Sequence, residues 1–438
     1  MNVAWVDTDF STFSQRYIIW FLFLLGLLAI PSFGSTDMLL WLQWGEVVYQ
    51  HGLIDGYTIN ANEYPPILDV YLWACFKVAD VFDITPFYTI KTSFLLFTYS
   101  STLLIYYLFG KKMIPAILFY ISTLYTSVLL SYVDVYYYLP FILAFYFLLK
   151  KNYFFFSMFY TFAVFTKYFP LIVAPFVAGY VLYEFIEKKG NLFGRIRTFI
   201  WQILLPILAI IVIACLFFHA SMVLTFSNAF QDPYLSGQAL NFNWVVLRVI
   251  RHIILPAFDR HEWPLFWSKS IFWAFYLLIF AMFLRHKRSF DELLLYCIVG
   301  HMSYFSFNTG VHESHLTVSC VLSVILAARD QKYTWMAVCI NLISVVNIFS
   351  FYGYNGGSPQ WIAGWLVRYF RDLPVELTSL PDPLTFNKYI PKEFPRLYQR
   401  SLIAVMNTIY FVSLFVLILL NDFRKDSSIP IHEPSRPV

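Results

Sequence analysis

Charge is what this sequence has least of. Only 13% of its 438 residues are Asp, Glu, Lys or Arg, about half the share of a soluble domain, so the chain cannot cover a water-facing surface. Its net charge of +4 is gathered into no basic block, which excludes a nucleic-acid-binding surface. Cysteine is scarce as well. Cys75, Cys215, Cys297, Cys320 and Cys339 lie inside apolar segments without a CxxC spacing, and read as small buried hydrophobes, not as a disulfide framework. A GxxxxGK[ST] loop and a GxGxxG after a strand are both missing, which sets aside ATP or a nucleotide sugar as substrate. What is there is apolar: 59% of the residues are hydrophobic and 21% aromatic, a composition that excludes disorder.

Apolar runs recur along the chain between short charged clusters, the pattern of helices that cross a bilayer. The first seven are Tyr17–Phe33, Ile67–Phe82, Phe87–Phe109, Met113–Leu130, Val133–Leu149, Tyr153–Phe165 and Leu171–Ile186. Phe199–Phe218, Phe266–Leu284, Leu293–Phe307, His312–Ala328, Tyr333–Phe351 and Leu402–Leu420 bring the candidates to thirteen. The first run follows a leader that is too weakly basic for a signal peptide and lacks a small-residue cleavage site, so it is expected to be a retained span.

Basic clusters should all fall on the cytoplasmic side. From Lys111-Lys112 onward, the clusters at Lys150-Lys151, Lys188–Arg197, Arg285–Arg288, Arg329–Lys332 and Arg424-Lys425 are separated by two runs each time, whereas three runs separate Arg16 from Lys111. One run must therefore not cross. Ile67–Phe82 is the candidate, because Asp69, Trp73, Lys77 and Asp80 form a polar stripe along it, the mark of a helix lying in the interface. The sequence thus predicts an all-α polytopic membrane protein. It forms a single integral-membrane domain of about twelve transmembrane helices, with both termini cytoplasmic and two interfacial helices in the first outer loop.

This topology places Gly34–Pro86, His219–Leu265 and Tyr352–Arg400 outside and the tail, residues 422–438, inside. Long loops in a compact protein are usually functional or disordered, and these hold too many aromatics for disorder. Function is expected on the outer face.

Five constellations there could carry chemistry. Asp37 opens MLLWLQWGEVVYQHG, whose Gln43, Glu46 and Gln50 mark an interfacial helix; it reads either as a helix-terminal cap or as a general base that deprotonates a hydroxyl. Glu63-Tyr64-Pro65-Pro66 precedes the second interfacial helix. Glu63 is either a solvated loop charge or, if the loop folds back, the partner of Asp37 in a carboxylate pair. Lys167, in Thr166-Lys167-Tyr168-Phe169-Pro170, either snorkels to the headgroups or serves as a point charge for a phosphate.

Val311-His312-Glu313-Ser314-His315 places three ionisable residues in the expected first turn of an apolar span, an expensive arrangement. Structural hydrogen bonding and anion binding at a helix N-terminus are the two readings. A metal site is not expected, for HExxH spacing and a third ligand are lacking. Asn241, Asn243 and Trp244 suit a sugar, with amides for hydroxyls and an indole for the ring face. They suit an interfacial belt equally.

These pieces, in this order, resemble the GT-C superfamily of integral-membrane glycosyltransferases. They are most similar to the dolichyl-phosphate-glucose-dependent glucosyltransferases, with the mannosyltransferase of the GPI glycan close behind. In those families an Asp follows the first span, a DYPP-like element precedes a second interfacial helix, and a HEK-type motif opens a late span. The matching positions here are Asp37, Glu63 to Pro66 and His312-Glu313; Lys167 resembles their lysine-plus-proline element and Asn241 to Trp244 their Asn-x-Trp element. EYPP stands for DYPP, HESH for HEK, and no DxD follows the first span, which argues against the metal-assisted variant.

The resemblance implies transfer of one hexose, glucose before mannose, from a polyprenyl-phosphate donor to a hydroxyl of a glycan or lipid-linked glycan by a single inverting displacement. Asp37 would be the general base. Lys167, His312 and His315 would hold the donor phosphate, and Glu63, Tyr64, Glu313, Asn241, Asn243 and Trp244 would contact substrate. No cofactor or metal is required. Membrane lipids are the other expected partner. The absence of Asn-x-Ser/Thr sequons and the short cytoplasmic loops point to a bacterial inner membrane with the site facing the periplasm, for example an enzyme decorating O-antigen. The lumenal face of the ER is the alternative location. A lipid-linked-sugar flippase and a polysaccharide ligase or polymerase of related architecture are the rival functions.

Overall fold

The computed structural model describes residues 12–427, apart from residues 33, 36, 62, 188–190, 230–233, 238, 254–261 and 353–396. The third outer loop and most of the tail beyond Asp422 therefore lie outside the described residues. Among these residues there is no strand, and the one β-type contact is an isolated bridge between Gly237 and His312.

Helices α1 (Thr12–Leu27), α2 (Asp37–His51), α3 (Leu53–Asn60), α4 (Pro66–Phe82), α5 (Pro86–Leu108), α6 (Met113–Thr123), α7 (Val135–Leu149) and α8 (Tyr153–Thr166) come first. Then follow α9 (Ala174–Glu187), α10 (Leu192–Phe199), α11 (Leu205–Ala229), α12 (Phe242–Ile253), α13 (Glu262–Arg285) and α14 (Phe290–Phe307). The last are α15 (Thr317–Arg329), α16 (Thr334–Tyr352) and α17 (Leu397–Ser427). Contacts group the chain into two compact units. The first comprises Met1–Leu171, Lys189–Asp232 and Ser323–Arg396; the second comprises Ile172–Lys188, Pro233–Leu322 and Leu397–Val438.

Five helical segments are long and apolar enough to cross a membrane: Phe169–Glu187, Leu192–Phe218, Pro264–Arg285, Gln331–Tyr352 and Arg400–Asp422. Five shorter apolar helices accompany them, at Tyr17–Leu27, Met113–Leu129, Val135–Leu149, Tyr153–Thr166 and Thr317–Arg329. The described residues are almost wholly helical, and the length and composition of these helices are compatible with an integral membrane protein. Helices α5 and α14 fall outside both groups, since Ser, Thr, Tyr and Lys91 dilute the first and Asp291 and Glu292 the second.

In the first unit, α2 and α4 pack against each other and α3. The stripe along α2 is as the sequence predicts: Met38, Trp41, Leu42, Gly45 and Val48 are buried, while Gln43, Glu46 and Gln50 are exposed. Helix α4 starts at Pro66 behind an extended Pro65 (ψ 157°), because proline lacks only an N–H that a first turn leaves unpaired. Its expected polar stripe breaks at the first member, for Asp69 is fully buried while Lys77 and Asp80 are exposed. The core beneath is aromatic. Tyr136 stacks on Tyr71 at 4.5 Å, meets Phe94 at 5.3 Å and Phe97 at 5.0 Å, and its hydroxyl lies 2.6 Å from Ser93 Oγ. Burying such a ring is worth roughly 1.5–3 kcal/mol where the alternative is water; against lipid, packing and hydrogen bonds are what remain.

In the second unit, α14 packs against α9, α12, α13 and α17 and is buried from Leu293 to Met302. A capping box starts it, with Glu292 N–H donating to Ser289 Oγ at 3.3 Å and Ser289 N–H to Glu292 Oε2 at 2.9 Å, so two orphan donors of the first turn are satisfied. Beside this terminus the buried Arg288 pairs with Asp422, which also accepts from Tyr296 Oη at 3.0 Å.

Candidate functional site

Tyr64 and Lys167 come together in the first unit with a residue the sequence reading passed over, Asp134, and Asp37 stands near enough to act on the Tyr64 phenol. Helix α8 ends at Thr166, and Lys167 turns extended at its C-cap (φ −155°, ψ 137°). Its ammonium forms an ion pair with Asp134, the N-cap of α7, and donates to Tyr64 Oη at 3.3 Å. The same nitrogen lies 4.7 Å from the centres of the Tyr64 and Phe169 rings, within cation–π range. The Tyr64 ring meets Trp41 and Trp44 of α2 edge-on, at 5.6 Å and 5.8 Å. The aromatic side of the helix that Asp37 opens is thus the wall against which Tyr64 rests.

The electrostatics follow from burial. Asp134 is 1% and Lys167 7% exposed, while Asp37 and Tyr64 are half-buried and within reach of solvent. Burial alone would lower the Lys167 ammonium, but the Asp134 carboxylate and Tyr64 outweigh it and hold it above its ordinary range. Burial, opposed by Lys167 and helped by the charges of Asp134 and Asp37, leaves the Tyr64 phenol raised to about 12. Lys167 is therefore a fixed cation and Tyr64 a protonated donor at neutral pH. Two of the three ammonium protons go to Asp134 and Tyr64, and the third has no acceptor among the described residues.

A second layer of phenols backs the first. Tyr57 Oη donates to Tyr64 O at 3.1 Å and lies 2.8 Å from Thr225 Oγ1, which Tyr168 Oη approaches at 3.4 Å. Burial raises the phenols of both Tyr57 and Tyr168, so they too remain protonated. Glu63 is exposed; the carboxylate that joins Asp37 around Tyr64 is Asp134.

The other predicted residues lie in the second unit. Asn241 Nδ2 donates to Phe305 O at 2.7 Å, and its Oδ1 accepts from Trp244 N–H at 3.1 Å, capping α12. Asn243 Nδ2 donates to Phe307 O at 3.0 Å and Asn308 O at 2.8 Å, and its Oδ1 accepts from Ser268 Oγ at 2.7 Å. Both residues are 1% exposed. Their amides are spent on closing the C-terminal end of α14, and Trp244 is buried beside them.

The His312–His315 motif does not stand in a helical turn. Helix α15 begins only at Thr317, because Gly310 (φ 66°) turns the chain and Gly237 N–H pairs with Val311 O at 3.0 Å. This correction removes the helix N-terminus expected to bind an anion there. His312 N–H donates to His315 Nδ1 at 3.3 Å, which leaves the proton of a neutral His315 on Nε2. His312 is exposed, His315 half-buried and Glu313 buried. Among the described residues no three His, Cys, Asp or Glu side chains are grouped so as to hold a metal ion.

Asp134 and Lys91 are the charged residues that sequence reasoning missed. Each sits within an apolar run, Val133–Leu149 and Phe87–Phe109 respectively, and an ionisable group in such a run is a functional signal in its own right. No protein-family model matches the chain, and no curated protein sequence matches it.

Proposed function

We propose that the protein is an inverting hexosyltransferase. It moves one sugar, glucose before mannose, from a polyprenyl-phosphate monosaccharide to a hydroxyl of a glycan or lipid-linked glycan on the outer face of a twelve-span membrane protein. The observation that carries the reading is the cluster itself: a half-buried carboxylate, Asp37, beside the same phenol that a buried cation, Lys167, meets, and among the described residues that cation has one N–H left over from Asp134 and Tyr64.

In this step Asp37 takes the proton of the acceptor hydroxyl as its oxygen bonds to the anomeric carbon. The bond from that carbon to the phosphate oxygen breaks on the opposite face, inverting the configuration. The departing lipid phosphate gains negative charge, and the remaining N–H of Lys167 meets it with a donor already in place. Asp134 and Tyr64 fix the direction of that donor. The single cation suits one phosphate; a diphosphate-linked substrate would be expected to need arginines in bidentate contact.

The test is reconstitution with synthetic polyprenyl-phosphate-glucose and polyprenyl-phosphate-mannose and a panel of glycan acceptors. Transfer from one donor, with inversion at the anomeric carbon, is expected. Movement of labelled lipid between leaflets without transfer would replace this reading with a flippase. Transfer confined to diphosphate-linked oligosaccharides would make the protein a ligase or polymerase.

A further inference from the structure

Lys91, in the second turn of α5, takes no part in the step above. It is 0% exposed, and its ammonium donates to the Val128 carbonyl and, at 3.1 Å, to Ser131 Oγ. These two neutral oxygens are its partners; no carboxylate pairs with it among the described residues. Stripping an ammonium of water for two hydrogen bonds is unfavourable beside a methionine of similar length, so its presence calls for an account of what it holds.

It holds a turn. A π-helical stretch, Leu124–Leu129, runs on from α6, and such stretches concentrate at functional places. At its end four consecutive carbonyls each accept a donor from elsewhere in the unit. Val128 O takes Lys91, Leu129 O takes Ser32 Oγ at 3.0 Å, Leu130 O takes Ser35 N–H at 2.9 Å, and Ser131 O takes the Trp41 indole N–H at 2.7 Å. Three of these donors belong to the short segment that carries Asp37. The fourth is Lys91. Ser131 has φ 68°, a left-handed conformation that a non-glycine residue keeps only when its surroundings hold it, and Lys91 grips its hydroxyl. Three residues on, at the other side of the turn, Asp134 stands at the N-cap position of α7 and pairs with Lys167.

We propose that Lys91 is a positioning residue: by clamping Val128 and Ser131 it fixes the turn from which both Asp37 and Asp134 take their places. Its effect on sugar transfer rests on the hexosyltransferase reading, whereas its hold on residues 32–41 does not.

The test is Lys91→Met in the full-length protein, with Lys91→Gln, which keeps an N–H donor without the charge, as the conservative variant. Two readouts are taken. Backbone hydrogen exchange over residues 32–41 is expected to quicken in Lys91→Met, Ser35 N–H first, and to return toward wild type in Lys91→Gln. The turnover number is expected to fall by about 10–100-fold with the donor KM little changed, as for a loss of alignment of about an ångström. Wild-type exchange over residues 32–41 in Lys91→Met, or faster exchange there with wild-type turnover, overturns the proposal. If wild type transfers neither sugar, the transferase reading falls on that result alone, and exchange still decides what Lys91 holds. Should Lys91→Met fail to fold, Ser131→Ala, which removes one of the two acceptors, is read in the same two ways.

Discussion

Lys167 and Asp134 show how much of the candidate site is a matter of two side chains. Removing one partner of a buried pair strands the other charge, at a cost of about 3–5 kcal/mol, whereas neutralising both is far milder. Lys167→Met should therefore destabilise the protein by that order in denaturant unfolding, and Lys167→Met with Asp134→Asn should recover most of the loss. Turnover should stay low in both. A double variant no more stable than the single one would show that the pair does not carry the local stability. Lys167 was legible as a choice between a snorkelling end and a phosphate contact, and the structure gives it a third task as the centre of a buried pair. Asp134 was passed over because it sits second in an apolar run that reads as one more span. Its meaning depends on a lysine 33 positions away, and no local pattern announces such a partner.

At the scale of elements, the entry to α2 decides where Asp37 stands. Gly34 has φ 86°, and a Cβ there would run into Ser131 Oγ and lie 2.8 Å and 2.9 Å from the Leu130 carbonyl atoms. Gly52 offers a control, since its φ is 83° but nothing lies within 4 Å of where its Cβ would be. Gly52→Ala should lose only the backbone strain of its positive-φ extended conformation (ψ 163°), about 1–3 kcal/mol. Gly34→Ala should lose more, by about 1–3 kcal/mol, because the backbone must shift as well. Equal losses in unfolding would mean that the docked segment yields freely. The polar faces of α2 and the proline-led start of α4 could be read from the sequence, because helical period and proline chemistry are local. The fate of the His312 motif could not, since Gly237 lies 75 positions from its bridge partner.

For the molecule as a whole, scarcity of charge predicts a membrane protein, and the long apolar helices are compatible with one. The proposed twelve-span arrangement makes a claim about sidedness that a label can decide. Val78 on α4 is 46% exposed, and Val78→Cys should react with an impermeant thiol reagent from the outside only; labelling from the cytoplasm would reverse the placement of the first long loop. The central claim is chemical, and its most direct measurement is single-turnover transfer from the donor that wild type accepts, comparing wild type with Asp37→Asn under identical reconstitution. The account predicts a loss of about 10²–10⁴-fold in the transfer rate with donor binding retained, because Asn keeps the shape and hydrogen bonding of the position and loses only the base. Transfer by Asp37→Asn at near wild-type rate would contradict it.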